Sequence, residues 1–433
     1  MTSILPSGAN DLTLAAYHHA YPVVCVELFL SLVITAAASL RCAGRAIEVS
    51  VTVLGLSLAC PSWSAGRLWL LRLGYYKLTR PKVQADDWVW IVDHTVQVGK
   101  EKCLVILGIR LCDLPPVGQC LRHEEVEPIE LAPVQQSNGD VVYQQLDRAV
   151  AKTGVPRAIV SDHGTDLNAG IAKFCQRHPQ TSPIYDIKHK TAAVLKQELE
   201  QDADWLTFTH LANQTGRRVQ QTALAALTPP NQKTKARYMN LEELVTWGQA
   251  MLVFLDQPQA QVKQSLAPQQ VQEKLGWLTG FRSHLEEWGE LFEIITTAES
   301  FVRHHGLDAE AQRELKTHLR GRAHTQRTRR VRDELVAFVA EEATQARPGE
   351  RLLGSSEIIE SVLGTMKRLE QDQAKSGFTG LILGLSAMVS TTTQEVIQKA
   401  LETVPTKKVL AWCRETFGRS VQAKRREVFT LLG

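Results

Sequence analysis

The feature that most constrains the fold is a change of hydrophobic period between residues 86 and 203. The run 87–93 (DWVWIVD) is aromatic and β-branched, which is typical of a strand. A turn at Glu101-Lys102 separates it from a second run, 103–109 (CLVILGI), so the two are predicted to form a hairpin. A third strand is predicted within 126–134.

Helical spacing then alternates with further strands. Helices are predicted at 139–154, about 168–177 and about 190–201; a buried strand is predicted at 156–162 and a short one ends near 185–187. The order β-β-β-α-β-α-β-α combines a meander with crossovers. It predicts an α/β fold with a mixed five-stranded sheet flanked by helices.

The remainder of the chain is predicted to be helical. The predicted segments are an arm at 1–20, a helical domain at 21–85, the first part of the α/β core at 86–203, an all-helical insertion at 204–348, a second part of the core at 349–400 and a basic helical tail at 401–433. A length of 433 residues with 44% hydrophobic residues is enough for several domains. The net charge of +3 identifies no partner by itself.

The stretch 22–40 is apolar for about the length of a membrane span, which leaves two interpretations open. Glu27 lies well inside it and favours a buried core helix over a membrane anchor. The eight cysteines are scattered without the spacing of zinc ligands, as expected for a reduced cytosolic protein. We therefore expect a cytoplasmic protein that does not use the membrane.

The segment 21–80 ends in a pattern that resembles a helix-turn-helix. Pro61 with Ser62 or Ser64 predicts a helix start, and Arg67 and Arg72 on the following helix are candidate phosphate contacts. Pairs of short apolar helices are also common in protein cores. The segment is therefore a candidate DNA-binding domain, with an ordinary helical core as the alternative.

Two aspartates end predicted strands. Asp93 follows WIV and Asp162 follows IVS, and a carboxylate at the end of a buried strand projects from the sheet edge where α/β folds place their chemistry. Two such acids close together repel each other and favour a divalent cation such as Mg²⁺ between them. The alternative is that each aspartate caps the turn that follows it.

A third carboxylate is predicted on a helix near residue 360. Glu360 and Lys367 are seven residues apart, about two helical turns, and so share a helix face. Glu357 lies one turn earlier and is the rival third acid. A solvated charged face is the alternative interpretation.

With these residues the chain resembles the DDE transposases of bacterial insertion sequences, whose catalytic core is ribonuclease-H-like. Asp93 and Asp162 match the family's first-strand and fourth-strand aspartates, and Glu360 with Lys367 matches the E-x6-K pattern of one large subgroup. The resemblance spans about 86–200 and 350–375, with a helical region inserted between. The chain departs from the subgroup at Ser356, four residues before Glu360.

The resemblance implies a two-metal reaction on DNA. Asp93, Asp162 and Glu360 would hold two Mg²⁺ ions, with Mn²⁺ as a substitute, beside a scissile phosphate, and Lys367 would contact a phosphate near the transposon end. It also implies recognition of terminal inverted repeats and target DNA. A homodimer or larger synaptic complex, associated with the bacterial nucleoid, is expected.

Several other residues are secondary candidates. His163, Asp186 and His189 could orient water or contact a phosphate, although turn and helix-start roles are the alternatives. Basic residues predicted to track a DNA backbone are Lys190, Arg327, Arg329, Arg330 and the tail residues Lys424, Arg425 and Arg426. A merely solvated basic surface is the other interpretation.

Two further functions stay open. One is a ribonuclease-H-like nuclease or resolvase that cuts DNA without joining it. The other is a DNA-binding protein descended from a transposase that has lost catalysis. All three acids are present, which favours an active enzyme.

Overall fold

The computed structural model describes residues 14–98, 101–134, 136–231, 241–263, 266–371 and 380–417. The chain divides into two compact units. The first unit is formed by two segments of the chain, one that ends at Ile184 and one that begins at Ser356. The second unit is the segment between them, Tyr185–Ser355. The second unit is thus longer at both ends than the segment 204–348 for which a helical insertion is predicted.

The first unit combines helices with one sheet. Its elements are α1 (Val23–Ile34), α2 (Leu40–Leu54), α3 (Trp63–Thr79), β1 (Trp88–Val98), β2 (Glu101–Arg110), β3 (Glu127–Val134), α4 (Gly139–Thr153), β4 (Ala158–Ser161), α5 (Thr165–Arg177), β5 (Ser182–Tyr185), α14 (Glu357–Gln371), α15 (Leu383–Met388), α16 (Gln394–Thr403) and α17 (Thr406–Phe417). The α/β class and the five strands predicted from the sequence are confirmed.

The sheet has the order β3-β2-β1-β4-β5, which places β1 at its centre. Strands β1, β2 and β3 form the predicted antiparallel meander, with Asp93 opposite Val105. Strand β4 runs parallel to β1, and Val92 pairs with Ser161. A parallel neighbour requires a crossover connection, and α4 supplies it.

One face of the sheet packs on α4 and α5. Trp88, Trp90 and Val92 of β1 and Ile159 of β4 share a buried cluster with apolar residues of these two helices. Because side chains alternate along a strand, the residues between them face the other side. There α14 packs against β1, and α3 packs against β3 and α15.

Helix α3 is buried on nearly all sides, unlike a helix that enters a DNA groove. Ser62 caps it, accepting a hydrogen bond from the Ala65 N–H, as one of the two predicted caps. Its buried residues include Leu70, Leu73 and Arg72 and lie all round the helix. A helix apolar all round belongs in a core. Segment 21–85 is therefore part of the first unit.

The apolar stretch 22–40 forms α1 and part of α2. The buried residues of α1 include Phe29 and Leu30, and Glu27 Oε2 accepts a hydrogen bond from Gln394 Nε2 at 2.8 Å. The helix packs against α2, α3 and α16, which confirms a core helix. Of the helices in the described ranges, none combines the length and apolar character needed to cross a lipid bilayer.

The regular structure described in the second unit is helical, apart from the strand residue Tyr185 and an isolated bridge between Leu307 and Leu352. Its helices are α6 (Ile187–Leu199), α7 (Ala203–Val219), α8 (Glu242–Leu255), α9 (Pro258–Lys263), α10 (Pro268–Leu275), α11 (Arg282–His305), α12 (Ala311–His318) and α13 (Gln326–Ala343). An aromatic cluster forms its core, in which Trp205 meets Trp288 edge-on with ring centroids 4.9 Å apart. Such contacts add to the area buried by large rings.

Candidate active site

Asp93 and Asp162 occupy adjacent positions at the ends of two paired parallel strands. Val92 of β1 pairs with Ser161 of β4, and each aspartate is the next residue. Neighbouring strands lie about 4.8 Å apart, so the two backbones approach closely at this point. The structure therefore brings these two predicted acids together.

The two aspartates also share a face of the sheet. Val92 and Ile159 belong to the cluster packed on α4 and α5, so the alternation of side chains directs Asp93 and Asp162 to the opposite face. That is the face on which α14 packs against β1. Both side chains are half-buried. Two half-buried carboxylates on one surface form a concentrated negative charge.

Local backbone contacts orient each carboxylate. Asp93 Oδ1 accepts a hydrogen bond from the His94 N–H at 2.6 Å, and Asp162 Oδ1 accepts one from the Gly164 N–H at 2.9 Å. Asp162 thus takes the turn-capping role considered as an alternative, through one of its oxygens. His163 adopts a left-handed φ of 54°, and burial lowers its pKa against the opposing effect of Asp162.

Glu360 lies in the first turn and a half of α14. The buried stripe of this helix includes Ile359, Val362 and Met366, and Glu360 lies at its rim and is half-buried. Glu357 is also half-buried, so burial does not choose between the two acids. Lys367 is exposed on the same helix. The packing of α14 on β1 places the helix that carries the predicted third acid against the strand that carries Asp93.

A group that sequence reasoning missed adjoins these acids. His94 Nε2 lies 3.2 Å from Ser137 Oγ, and its Nδ1 lies 3.8 Å from Asp166 Oδ2. Lys102 Nζ forms an ion pair with the same Asp166 oxygen at 3.3 Å. The repeated acid in SDHGTD, four residues after Asp162, was the available signal for Asp166.

The charges in this group are mutually compensated. Burial lowers the pKa of His94, whereas the negative charges of Asp166 and Asp162 act to raise it. Burial would raise the pKa of Asp166, but the Ser137 hydrogen bond and the charges of His94 and Lys102 lower it below its ordinary value. Asp166 therefore stays ionised and anchors Lys102 at the rim of the strand ends.

The donor set of the three predicted acids fits Mg²⁺. Carboxylate oxygens are the ligands that this hard ion prefers, and half-burial leaves room for the waters that it retains. In the described part of the chain, Asp93, Asp162 and Glu360 do not have their oxygens all within 4.8 Å of one another. A single ion held by all three acids would need closer convergence of their oxygens than this structure shows.

Arg72 has a different environment from the one predicted. It is buried, and its guanidinium donates hydrogen bonds to Val404 O at 2.6 Å and to Leu401 O. The N–H groups of Arg72 that would bind a phosphate are thus used by these two carbonyl groups. The prediction that Arg72 contacts DNA is therefore corrected. Arg67 is half-buried near the Cys413 thiol, and its contact with DNA stays a prediction.

In the second unit, Asp186 and His189 form a local pair at the start of α6. Asp186 is fully buried, caps the helix by accepting the His189 N–H, and its Oδ2 lies 2.7 Å from His189 Nδ1. The predicted helix-start role is therefore present. The carboxylate also fixes the histidine ring and favours the proton on Nδ1.

The predicted basic surface is largely paired with acids of the second unit. Lys190 Nζ lies 2.7 Å from Glu334, and Arg327 binds Glu198 and Asp202 at 3.0 and 2.8 Å. These ion pairs give Lys190 and Arg327 partners within the second unit, and their contact with DNA stays a prediction.

Arg330 shares the Glu198 carboxylate at 2.6 Å, although its side chain is exposed. Arg329 is exposed and donates to the His324 carbonyl group. Their contacts with DNA stay predictions. The tail residues 424–426 lie outside the described residues.

Comparison with known proteins adds no family assignment. No family model matches the chain, and no curated protein matches it.

Proposed function

We propose that this chain is a DNA transposase that cuts transposon ends and joins them to target DNA. The observation that carries the proposal is the placement of Asp93 and Asp162 one residue beyond the paired Val92 and Ser161. Two carboxylates on one sheet face, with the Glu360 helix packed on the same strand, suit phosphoryl transfer.

The fold supports the same proposal. The resemblance leads us to propose a ribonuclease-H-like core for the first unit. The mixed sheet agrees with it, since β1 is central, β2 is antiparallel to it and β4 is parallel to it. The second unit then corresponds to the helical insertion between the second aspartate and the glutamate, since it occupies 185–355 in the sequence.

The proposed chemistry assigns a role to each acid. Bound Mg²⁺ supplies positive charge that activates water or a DNA 3′-OH and stabilises the leaving oxygen. Asp93 and Asp162 hold that charge at the strand ends, each oriented by a backbone N–H. Glu360 completes the set from α14, and exposed Lys367 on that helix contacts a DNA phosphate.

The partners proposed follow from this chemistry. The substrates are DNA with terminal inverted repeats and a target DNA, and the working form is a homodimer or larger synaptic complex in the bacterial cytoplasm. Arg329 and Arg330 are exposed and are proposed to contact the DNA backbone. A cleaving enzyme that does not join, and a binding protein without catalysis, are the competing outcomes.

The test uses the full chain with a supercoiled plasmid that carries the DNA flanking its gene, in the presence of Mg²⁺. Joined products support a transposase, whereas cut ends alone support a nuclease or resolvase. Bound but intact DNA supports a protein without catalysis. Any result other than joined products overturns the proposal in its full form.

Matched variants test the acids individually. Asp93→Asn, Asp162→Asn and Glu360→Gln should each lower cleavage at least about 10³-fold, because each removes a ligand charge while keeping the side-chain size. Glu357→Gln is the control for the third position. If Glu357→Gln abolishes cleavage and Glu360→Gln does not, the third acid is Glu357.

A further inference from the structure

Lys77 is a buried lysine in α3 that the proposed reaction does not use. Its side chain is fully buried, and Nζ lies 2.7 Å from Val389 O, 2.8 Å from Ser390 O and 3.1 Å from Ala387 O. The Thr392 hydroxyl group lies 2.5 Å from the same nitrogen. Desolvating an amine is costly, so these four oxygens are needed to hold it. Together they fix the turn 387–392 against α3.

That turn holds another segment of the first unit. Ser390 adopts a left-handed φ of 54°, a conformation that is unfavourable for a residue with a side chain. In this conformation its N–H donates to the His123 carbonyl oxygen at 2.9 Å. The Thr391 hydroxyl group donates to Glu124 O at 3.4 Å. The turn therefore fixes the backbone on which the His123 ring is mounted.

The ring of His123 contacts the helix that carries the third acid. His123 Nε2 lies 3.0 Å from Ser361 Oγ, and Ser361 directly follows Glu360. His123 is half-buried, whereas Ser361 is exposed on α14. A hydrogen bond at this position resists rotation of the first turns of α14 about the helix axis. Rotation of that kind would change where Glu360 points.

Helix α15 adds a second connection between α3 and α14. A Cβ atom at Gly384 would lie 3.5 Å from Leu70 of α3 and 3.5 and 3.7 Å from Met366 and Leu369 of α14. Helix α15 is thus packed between the two helices. The buried layer fixes the height of α14 above the sheet, and the His123 contact acts on its acid-bearing end.

We infer that His123 is a positioning residue for Glu360, held in place by the turn that Lys77 binds. This inference rests on the proposed function, in which Glu360 is a metal ligand. His123 does not touch the reacting atoms; it sets the orientation of α14 through Ser361. Loss of the contact should weaken the use of Mg²⁺ and should leave the chemistry intact once Mg²⁺ is saturating.

The experiment compares four single variants of the full chain. His123→Ala and Ser361→Ala remove the contact, whereas His123→Gln keeps a side-chain N–H at a position similar to that of Nε2. Glu124→Gln is the control, because Glu124 is exposed on the same segment. One readout is the Mg²⁺ concentration that gives half-maximal cleavage. The other is hydrogen exchange of the α14 amides in metal-free protein.

The first two variants should raise the half-saturating Mg²⁺ concentration about 3- to 10-fold, the effect of one typical hydrogen bond, with an unchanged maximal rate. They should speed exchange of the amides at 361–366 by a similar factor. A double variant that combines His123→Ala with Ser361→Ala should be no worse than either single variant. His123→Gln and Glu124→Gln should match the wild type in both readouts.

Unchanged exchange and unchanged Mg²⁺ dependence in His123→Ala would overturn the inference, as would a His123→Gln variant as impaired as His123→Ala. If the wild type shows no Mg²⁺-dependent cleavage, the proposed function fails. Exchange of the α14 amides then still reports whether His123 holds the helix, so the two failures are distinguishable.

Discussion

Arg72 donates a hydrogen bond from Nε to the carbonyl oxygen of Val404 at 2.6 Å, across 332 residues of sequence. The contact joins α3 to the segment after α16. It shows that the N-terminal helices are a structural part of the first unit and explains why a cation lies in a buried position.

Replacing Arg72 by alanine should destabilise the first unit. The Arg72→Ala variant leaves the carbonyl groups of Leu401 and Val404 without their donor, which should cost about 2–4 kcal/mol in the free energy of unfolding. Urea denaturation followed by tryptophan fluorescence measures it. Arg45→Ala on α2 is the control, since Arg45 is exposed, and should change stability by less than about 0.5 kcal/mol.

Equal stability of the Arg72→Ala and Arg45→Ala variants would contradict the buried role of Arg72.

The same reasoning applies to a chain that lacks residues 21–80. It should lose the fold of the first unit and not merely its affinity for DNA. Far-ultraviolet circular dichroism of the truncated chain tests this expectation.

A pair of glycine-to-alanine substitutions tests the contact between α3 and α15. A Cβ atom at Gly74 would overlap the backbone carbonyl group of Leu383, which cannot rotate away as a side chain would. Gly74→Ala should therefore destabilise by about 2–4 kcal/mol. Gly364→Ala on α14 meets no atom within 4 Å and should stabilise by about 0.5–1 kcal/mol. If thermal unfolding showed both variants to be stabilised, or both to be destabilised, the close approach of Gly74 in α3 to Leu383 in α15 would be contradicted.

Asparagine at Asp93 should separate stability from activity. Because Asp93 and Asp162 carry like charges at adjacent strand ends, Asp93→Asn should raise the stability of metal-free protein by about 1 kcal/mol while it removes cleavage. DNA binding, measured by fluorescence anisotropy, should be retained. Asp113→Asn, at an exposed position, is the control. A metal-free Asp93→Asn protein less stable than wild type would count against the charge repulsion.

Glu342 gives the second unit a pH-dependent stability. Burial raises the pKa of Glu342 to about 7, and the neighbouring Glu341 contributes in the same direction, although the hydrogen bond from the Tyr185 N–H opposes it. Between the ordinary glutamate value of 4.5 and about 7 the native state binds the proton and the unfolded state does not. The free energy of unfolding therefore falls as pH rises through that window.

Glu342→Gln should remove this dependence, because glutamine keeps the acceptor for the Tyr185 N–H and carries no charge. It should be more stable than wild type by about 2–3 kcal/mol at pH 8, and this advantage should shrink toward pH 5. Denaturation curves at the two pH values measure it. Glu341→Gln, at the exposed neighbouring position, should show a smaller effect of the same sign, because Glu341 raises the pKa of Glu342. If the stability advantage of Glu342→Gln over wild type grew toward pH 5, the raised pKa of Glu342 would be refuted as the cause of the pH dependence.

The sheet and the first two acids could be predicted from the sequence because their signals are local. Strand β1 is fully buried from Val89 to Val92, so its residues are uniformly apolar and aromatic. An aspartate that ends such a run is conspicuous. The order of elements predicts a mixed sheet, whereas the register that pairs Val92 with Ser161 is known only from the structure.

The roles of the cations could not be predicted because their partners are distant. Arg327 was expected on a DNA-binding surface, but it binds Glu198 and Asp202, which lie 129 and 125 residues away. The hydrogen-bond partners of Arg72 are also distant in the sequence. A long cationic side chain has the same sequence pattern whether it meets solvent, a phosphate or a buried carbonyl group. His94 and Asp166 were missed because the repeated acid in SDHGTD does not indicate which distant side chain it contacts.

The discontinuity of the first unit has a consequence for biosynthesis. Lys77 and the carbonyl group of Ala387 are 310 residues apart, and ribosomes add about 5–20 residues per second, so α3 emerges roughly 15–60 s before its partners. During this interval the surface of α3 that packs on α15 and α16 has no native cover, while the contiguous Tyr185–Ser355 unit is completed first. The nascent chain should therefore be a client of ribosome-associated chaperones until its last hundred residues are translated.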